Sequence, residues 1–362
     1  MYSCIDAFSG AGGLRLGLET EGYKVLFGFD NDPTCIQTQV RNPQYFRHPS
    51  ALAGIDDMLA GGLMEKANIS KGDLFLLAGG PPCQGFSVQR NGEDLDERNN
   101  LVFRYVELIS QLLPKWFIME NVPGIAGKRG KQILESALEK SRNLGYWIHR
   151  KTLDAQDFGI PQRRKRVFII GERIDDNFPS FVFPEVTTPI GKRIFVRDVI
   201  GALPEPPIDG SNHKDFPNHR RDKLSTLNVQ RLQALKEGQG REYLPTHLLA
   251  DCHKLSADII GHRNVYGRMR WDDVAPTITA RFDSFSRGLF GHPDQLRSIS
   301  LREGAILQTF PMDFIFEGNK VDIARQIGNA VPPKLAAILG NQIIKCHQGK
   351  VAIKLKKTQG TL

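Results

Sequence analysis

Cysteine is scarce in this sequence, and its placement excludes two classes of protein. The 362 residues include five cysteines, an odd number, and no two of them form a C-x-x-C pair. We therefore expect neither a disulfide framework nor a cysteine zinc site, and no metal site is predicted. This usage fits a reducing compartment and leaves a thiol free to be reactive. The cysteines are Cys4, Cys35, Cys83, Cys252 and Cys346.

Long apolar runs are also missing. A membrane-spanning helix needs about 18 nearly uninterrupted apolar residues, and no such stretch occurs. A strand-like run begins directly after Met1, so no signal peptide is predicted and a cytoplasmic protein is expected. Internal repeats are absent, which excludes solenoids and propellers.

Positive charge exceeds negative charge, giving a net charge of +8. The excess gathers at 163–166, around 219–221, and at Arg263, Arg268 and Arg270. Such an excess is compatible with a nucleic-acid partner but does not require one.

Strand-like apolar runs alternate with helix-like stretches over the first 172 residues. This alternation predicts an α/β fold with a doubly wound, mainly parallel sheet. The predicted strands are 5–8, 25–29, 74–78, 116–119, 147–149 and 167–170. The predicted helices are 14–21, 33–40, 101–113 and 132–144.

The alternation ends after Gly171. The following region is rich in Pro, Gly, His and Arg and predicts a smaller irregular domain, with β-like pieces at 195–200 and 277–280. A helical segment at 322–346, broken at 328–329 and 332–333, is expected to return to the first domain. The predicted domains are 1–180, 181–310 and 311–362.

A glycine-rich turn follows the first predicted strand and opens a helix. Residues 8–13 read Phe-Ser-Gly-Ala-Gly-Gly, which permits a tight turn and an anionic group at the helix N-terminus. Asp30, after the second strand, is placed to bind ribose hydroxyls. A dinucleotide or S-adenosylmethionine suits such a turn. Arg15 stands where the dinucleotide motif has its third glycine, which favours S-adenosylmethionine.

Two polar residues follow strands at the sheet edge where ligands bind. Cys83 lies in the stretch Pro-Pro-Cys-Gln-Gly-Phe-Ser at 81–87, and Glu120 follows the strand 116–119. Each is weak evidence alone, because a lone cysteine is usually a small buried hydrophobe.

Together, however, the two residues fit one reaction. Carbon 5 of cytosine becomes nucleophilic after a thiolate adds to carbon 6, provided that an acid binds ring nitrogen N3. This chemistry needs an activated cysteine, a nearby carboxyl group and neighbouring cations. Arg164 and Arg166 can supply the cations.

At this point the sequence resembles the DNA cytosine-5 methyltransferase family over nearly its whole length. Six motifs occur in the family's order, which is far more specific than any one match. They are the cofactor turn 8–13, the Pro-Cys motif 79–87, Glu-Asn-Val at 120–122, Gln162-x-Arg164-x-Arg166, the ninth motif at 302–311 and the tenth at 326–331.

The resemblance implies a role for each matched residue. Cys83 is the implied nucleophile and Glu120 the acid at N3, while Arg164 and Arg166 hold the cytosine and the DNA backbone. Implied cofactor residues are Phe8, Ser9, Gly10, Gly12, Gly13, Leu14, Asp30, Pro82, Asn329 and Val331. Implied DNA-binding residues are Ser87, Gln162, Arg268, Thr277 and Arg281.

The resemblance also implies a biological setting. S-adenosylmethionine is the expected cofactor, and double-stranded DNA, with its target cytosine flipped out of the helix, is the expected partner. The compact second domain resembles the target-recognition domain of bacterial restriction–modification enzymes, so a cognate endonuclease and a monomeric enzyme acting at the nucleoid are expected. One departure is that no acidic residue stands in register near 48–50, where the family usually binds the adenine amino group.

Three rival functions stay open at this level. An RNA cytosine-5 methyltransferase shares these motifs, although the segment after Gly171 favours DNA. A catalytically silent DNA-binding protein is disfavoured by the intact Cys83 and Glu120. A dinucleotide oxidoreductase is the most remote.

Overall fold

The computed structural model describes residues 2–48, 50–82, 100–127, 130–175, 179–251 and 265–359. The chain alternates between two compact units. Unit 1 consists of residues 1–154, 165–186 and 331–362, and unit 2 consists of residues 155–164 and 187–330.

A seven-stranded sheet forms the centre of unit 1, in the order β3-β2-β1-β4-β5-β7-β6. The strands β3, β2, β1, β4 and β5 run parallel, and β7 is antiparallel to both β5 and β6. This mainly parallel sheet confirms the predicted fold class. The strands are β1 (Tyr2–Ala7), β2 (Tyr23–Asp30), β3 (Ser50–Leu52), β4 (Leu76–Gly79), β5 (Trp116–Asn121), β6 (Tyr146–Asp154) and β7 (Lys165–Arg173).

Helices cover the sheet and complete unit 2. In unit 1 they are α1 (Gly13–Thr20), α2 (Pro33–Arg41), α3 (Ile55–Leu59), α4 (Leu63–Ala67), α5 (Asn100–Leu112), α6 (Lys131–Asn143) and α11 (Pro333–Gln359). In unit 2 they are α7 (Val196–Ile200), α8 (Thr226–Ala234), α9 (Leu301–Leu307) and α10 (Lys320–Asn329).

The central strands are buried along their whole length. Every residue of β4 and β5 is buried, as expected for parallel strands covered by helices on both faces. The order reverses at β1, since the chain builds outward to β2 and β3 before β4 is added on the other side. Ligands of such sheets bind at the carboxyl edge near this reversal.

Glycine permits the close packing of α1 against α11. A β-carbon on Gly17 would lie 2.1 Å from the carbonyl oxygen of Pro333. The Tyr23 hydroxyl also donates to the carbonyl oxygen of Gly340 at 2.9 Å. The C-terminal helix α11 therefore belongs to unit 1, whereas α10, which was predicted to lie in the same returning segment, belongs to unit 2.

Two short β predictions in unit 2 are wrong. Residues 196–200 form α7, because Asp198 at the third helical position accepts from the backbone N–H of Phe195 and caps the helix. Residues 277–280 are irregular rather than extended in a sheet. The break between α10 and α11 lies at 330–332, between the two predicted breaks, because residues 328–329 still belong to α10 and Pro333 already begins α11.

The units also differ from the predicted domain boundaries. Unit 2 begins at 187 rather than 181 and continues to 330 rather than 310, and it includes the separate segment 155–164. Within the described residues, no helix combines the length and the hydropathy that a membrane crossing demands.

Candidate active site and cofactor turn

The turn between β1 and α1 has an unusual backbone. Phe8, Gly10 and Gly12 have φ angles of 56°, 54° and 87°. This is a backbone region that residues other than glycine rarely adopt. A β-carbon on Gly12 would lie 2.5 Å from the Phe46 ring. Glycine at position 12 is therefore required both by its backbone angle and by the neighbouring ring.

Asp30 is bonded directly to this turn. Its carboxylate accepts from the backbone N–H of Gly10 at 2.8 Å and from that of Asp32 at 2.9 Å. Burial raises the pKa of Asp30, an effect that these backbone hydrogen bonds partly offset. The carboxylate is only partly exposed and lies at the end of β2, where it can accept from ribose hydroxyls.

The other predicted cofactor residues of unit 1 surround this turn. The Phe8 ring is partly buried and packs against Phe29 at 6.3 Å between centroids, which leaves part of the ring accessible. Ser9 is buried, and Gly13 and Leu14 form the first turn of α1. An aromatic face, a ribose-binding carboxylate and a glycine turn are the groups that a nucleoside cofactor such as S-adenosylmethionine requires.

Glu120 lies on the central strand β5, at the carboxyl edge of the parallel strands. Its side chain is 11 % exposed. A β-carbon on Gly80 would lie 3.1 Å from Glu120 Oε2, so the backbone after β4 passes close to this carboxyl group. The Asn121 amide donates to the carbonyl oxygen of Pro81 at 3.0 Å. Residues 80 and 81, which lead to Cys83 in the sequence, are thus held next to Glu120.

Arg166 forms an ion pair with Glu120. The Arg166 Nε and Glu120 Oε1 atoms are 3.0 Å apart, and both side chains are largely buried. Burial lowers the pKa of the Arg166 guanidinium, and the Glu120 carboxylate opposes this shift. The Q-x-R-x-R motif therefore contributes a cation directly to the predicted acid.

Two predicted residues fall outside the described part of the chain, namely Cys83 and Ser87. Pro82 immediately precedes that gap and is exposed. The roles predicted for Cys83 and Ser87 stay predictions.

Arg164 has a different environment from Arg166. Its guanidinium is fully buried and donates to the backbone carbonyl oxygens of Ile278, Gly328 and Ala330 at 3.0, 2.9 and 2.8 Å, all within unit 2. These bonds join the irregular stretch around Ile278 to the C-terminal end of α10. They support a positioning role, and the predicted contact of Arg164 with cytosine or DNA stays a prediction.

Gln162 joins the same stretch to the ninth motif. Its amide donates to Gln308 Oε1 at 2.9 Å and accepts from the backbone N–H of Ile278 at 2.9 Å. The Thr277 hydroxyl donates to the carbonyl oxygen of Arg163 at 2.6 Å. Gln162 is fully buried, whereas Thr277 is partly exposed, so Thr277 is the more accessible of these two predicted DNA contacts.

The two remaining predicted DNA-binding arginines also differ. Arg268 is 4 % exposed, and its guanidinium donates to backbone carbonyl oxygens of unit 2. Arg281 is exposed and pairs with Asp283 at 3.1 Å. Arg281 can reach a phosphate by rotation about its side-chain bonds, whereas Arg268 first has to leave its carbonyls. The acceptors of Arg268 are Leu232, Leu235, His292, Pro293 and Gln295.

The two predicted residues near the tenth motif fall in different units. Asn329 ends α10 in unit 2 and is exposed, while Val331 begins the last segment of unit 1 and is 7 % exposed. Sequence reasoning missed the role of Gln39, whose buried amide donates to the cofactor turn, and that of Arg15, whose buried guanidinium bonds Gln39 and Ser50. No local signal reveals them, because polar residues on an amphipathic helix are normally assigned to its solvent face.

Comparison with known proteins agrees with this geometry. The sequence model of the C-5 cytosine-specific DNA methylase family matches residues 2–345. The type II methylase M.HgiDII of Herpetosiphon aurantiacus is 34 % identical over 349 residues, covering 95 % of this chain and 96 % of that protein. M.XorII of Xanthomonas oryzae pv. oryzae, a type II methyltransferase, is 32 % identical, covering 96 % of this chain and 85 % of its own.

A solved structure also matches along almost the whole chain. It is a prophage-encoded DNA modification methyltransferase from E. coli, with a TM-score of 0.67, 25 % identity, and coverage of 96 % of this chain and 100 % of that one. The sheet order and the cofactor turn are those of the S-adenosylmethionine-dependent methyltransferase fold. Within that class, the chain belongs to the C-5 cytosine-specific DNA methylase family and is a DNA cytosine-5-methyltransferase.

Proposed function

We propose that this enzyme methylates cytosine in duplex DNA through a covalent bond between Cys83 and carbon 6 of a flipped-out base. The observation that carries the proposal is the buried Glu120–Arg166 pair, 3.0 Å apart, beside the backbone that leads to Cys83. A carboxyl group held there can bind N3 of the ring while the thiolate adds to carbon 6. Flipping is required because carbon 6 is shielded in a stacked duplex, and unstacking costs only a few kcal/mol.

The proposed cofactor is S-adenosylmethionine, which supplies an electrophilic methyl group when bound. Phe8 and Asp30, on the turn after β1 and at the end of β2, would hold its adenine and ribose, with Gly10 and Gly12 allowing close backbone approach.

Each proposed step has an assigned residue. Cys83 loses its thiol proton to solvent and forms the bond to carbon 6, while Glu120, in its protonated form, donates its proton to N3 and recovers it when the thiolate leaves. Carbon 5, now electron-rich, takes the methyl group. Loss of the carbon 5 proton to a base then expels the Cys83 thiolate. Arg166 orients the Glu120 carboxyl group and raises the local positive potential, which favours a thiolate.

The DNA contacts are proposed for residues with accessible side chains. Thr277 and Arg281 of unit 2 have exposed surface, and Ser87 follows the nucleophile in sequence. Gln162, Arg164 and Arg268 are proposed to position the backbone that carries these contacts. We further propose that the enzyme protects host DNA beside a cognate endonuclease, as the names of its type II relatives suggest.

The test is a trapping experiment with duplex DNA that contains 5-fluorocytosine at the target position. Fluorine takes the place of the carbon 5 hydrogen and cannot leave as a cation, so elimination of the thiolate is blocked. With S-adenosylmethionine present, we expect a covalent complex that survives denaturation and whose modified peptide contains Cys83 by mass spectrometry. Cys83→Ser should form none. An enzyme that methylates normal DNA but forms no adduct, or an adduct elsewhere, contradicts the mechanism.

A further inference from the structure

The cofactor turn needs an external support. Phe8 has a positive φ angle of 56°, which costs a residue other than glycine conformational energy that the surrounding structure must offset. Part of that support comes from the sheet, since the Ser9 backbone N–H donates to the carbonyl oxygen of Phe29 at 3.0 Å. The Gly10–Asp30 bond described above is a second part.

Gln39 of α2 supplies a third support from outside the motif. Its amide nitrogen donates to Ser9 Oγ at 2.8 Å and to the carbonyl oxygen of Gly10 at 2.7 Å. The side chain is 2 % exposed, so water does not compete for these bonds. Both amide hydrogens are therefore used on two successive residues of the turn.

The orientation of the Gln39 amide is fixed by its other end. Its carbonyl oxygen accepts from the Ser50 hydroxyl and lies 3.4 Å from Arg15 Nη1, which itself donates to Ser50 Oγ at 2.7 Å. A flipped amide would turn its carbonyl oxygen toward that of Gly10. The relay Arg15–Ser50–Gln39 thus admits only one arrangement of donors at the turn.

The relay is itself anchored. Arg15 is fully buried, and it also bonds Glu19 Oε1 at 3.0 Å and the carbonyl oxygen of His48 at 3.1 Å. The relay therefore joins α1, α2, β3 and the segment before β3 to Ser9 and Gly10 of the turn.

We propose that Gln39 is a positioning residue for cofactor binding and that Ser50 acts through it. Gln39 holds the Ser9–Gly10 peptide so that the Gly10 N–H meets the Asp30 carboxylate, which in turn keeps the other face of that carboxylate toward the ribose. The inference rests on the proposed cofactor. It places the residue's effect in cofactor affinity rather than in the chemical step.

The test replaces Gln39 with Met, which keeps the length of the side chain but removes both donors. Calorimetric binding of S-adenosylmethionine should weaken about 10-fold, as expected for the loss of two hydrogen bonds, while kcat at saturating cofactor stays within about 2-fold. Gln37→Met is the matched control, since Gln37 is exposed on the same helix and should bind cofactor as the wild type does.

Ser50→Ala tests the relay separately. It should weaken binding about 3-fold alone and by nothing further in the Gln39→Met background, because Ser50 acts only through the amide. A folded Gln39→Met protein with wild-type affinity overturns the inference, as does an additive effect of Ser50→Ala. If Gln39→Met does not fold, unchanged affinity in Ser50→Ala overturns it. Failure of the wild type to bind S-adenosylmethionine would instead refute the proposed cofactor.

Discussion

The two units satisfy their buried backbone in different ways. In unit 1 the ladders of a seven-stranded sheet pair the backbone, and the core is apolar, with Phe117 and Ile169 among its fully buried members. Unit 2 has short helices and long irregular stretches. Several of its backbone carbonyl oxygens accept hydrogen bonds from buried arginine side chains. Arg164 and Arg268 are two of these.

Two further arginines extend this pattern in unit 2. Arg302 is fully buried and donates to the carbonyl oxygens of Pro217 and Pro311 at 2.7 and 3.0 Å. Arg297 donates to the carbonyl oxygen of Ser298 at 3.1 Å and also pairs with Glu303 through two bonds of 2.7 Å, with both side chains 1 % exposed. Irregular backbone has no continuous ladder of hydrogen bonds, so buried side-chain donors satisfy part of its carbonyl oxygens.

This difference indicates which substitutions each unit can accept without loss of stability. In unit 1 the sheet holds the fold, so polar groups at its carboxyl edge are available for chemistry. In unit 2 the polar groups themselves hold the fold. Substitutions should therefore separate activity from stability in unit 1 but not in unit 2.

The largest expected effect is that of Glu120→Gln in unit 1. We expect kcat to fall about 10²- to 10⁴-fold, because the amide cannot protonate N3. Glutamine still offers an acceptor to Arg166, so the free energy of unfolding should change by less than about 1 kcal/mol. Steady-state methylation and chemical denaturation measure the two quantities. Glu139→Gln, at an exposed site on α6, is the control, and equal losses of activity in both variants would remove Glu120 from the mechanism.

Arg268→Met should act in the opposite way. It leaves several buried carbonyls without a donor, and we expect a loss of about 3–5 kcal/mol in unfolding free energy. The exposed Arg287 gives the control Arg287→Met, which should be neutral. Urea denaturation followed by limited proteolysis should show unit 2 opening first. A stable Arg268→Met protein would break the comparison between the units.

Asp6 sharpens the comparison within unit 1. Burial raises its pKa to about 8 from 3.8, against the lowering effect of Arg15. Because the folded state prefers the neutral acid, stability is lost as pH rises from about 4 to 8. Asp6→Asn should remove that loss, gaining roughly 2–4 kcal/mol at pH 8 relative to pH 4. Denaturation of both proteins across this range measures it, and parallel curves would refute the shift.

Glu172 should give a smaller effect of opposite sign. Burial alone would raise its pKa, but bonds from His149, Ser180 and Lys350 outweigh it and lower the pKa to about 2 from 4.5. The stabilisation is complete above pH 4.5 and is lost as pH falls toward 2. We expect a difference of about 1–2 kcal/mol between wild type and Glu172→Gln to disappear between pH 6 and pH 2.5. A constant difference across that range would contradict the assignment.

The sequence predicted unit 1 well because its signals are local. Buried strands read as apolar runs, and the predicted strand 116–119 is found as Trp116–Asn121. The strand Ser50–Leu52 escaped because three residues give no period to recognise. Glu120 could be placed at the sheet edge because strand ends in parallel sheets gather there.

Unit 2 was harder to predict for a physical reason. Arginine is read from sequence as a solvent-facing or phosphate-binding residue, and nothing local distinguishes Arg281, which is exposed, from Arg268, which is buried among carbonyls. Gln39 was missed for the same reason, since its role depends on contacts with residues distant in sequence. Such roles require the tertiary structure.

The short segment 155–164 has a practical consequence for engineering new target specificity. Although it lies between β6 and β7 in the sequence, it belongs to unit 2, where Arg164 bonds the carbonyl oxygens of Ile278, Gly328 and Ala330. Unit 2 is therefore encoded by two separate pieces of the gene. A chimera that exchanges only 187–330 with a relative would combine the relative's 187–330 with this chain's own 155–164. Both segments should therefore be exchanged together.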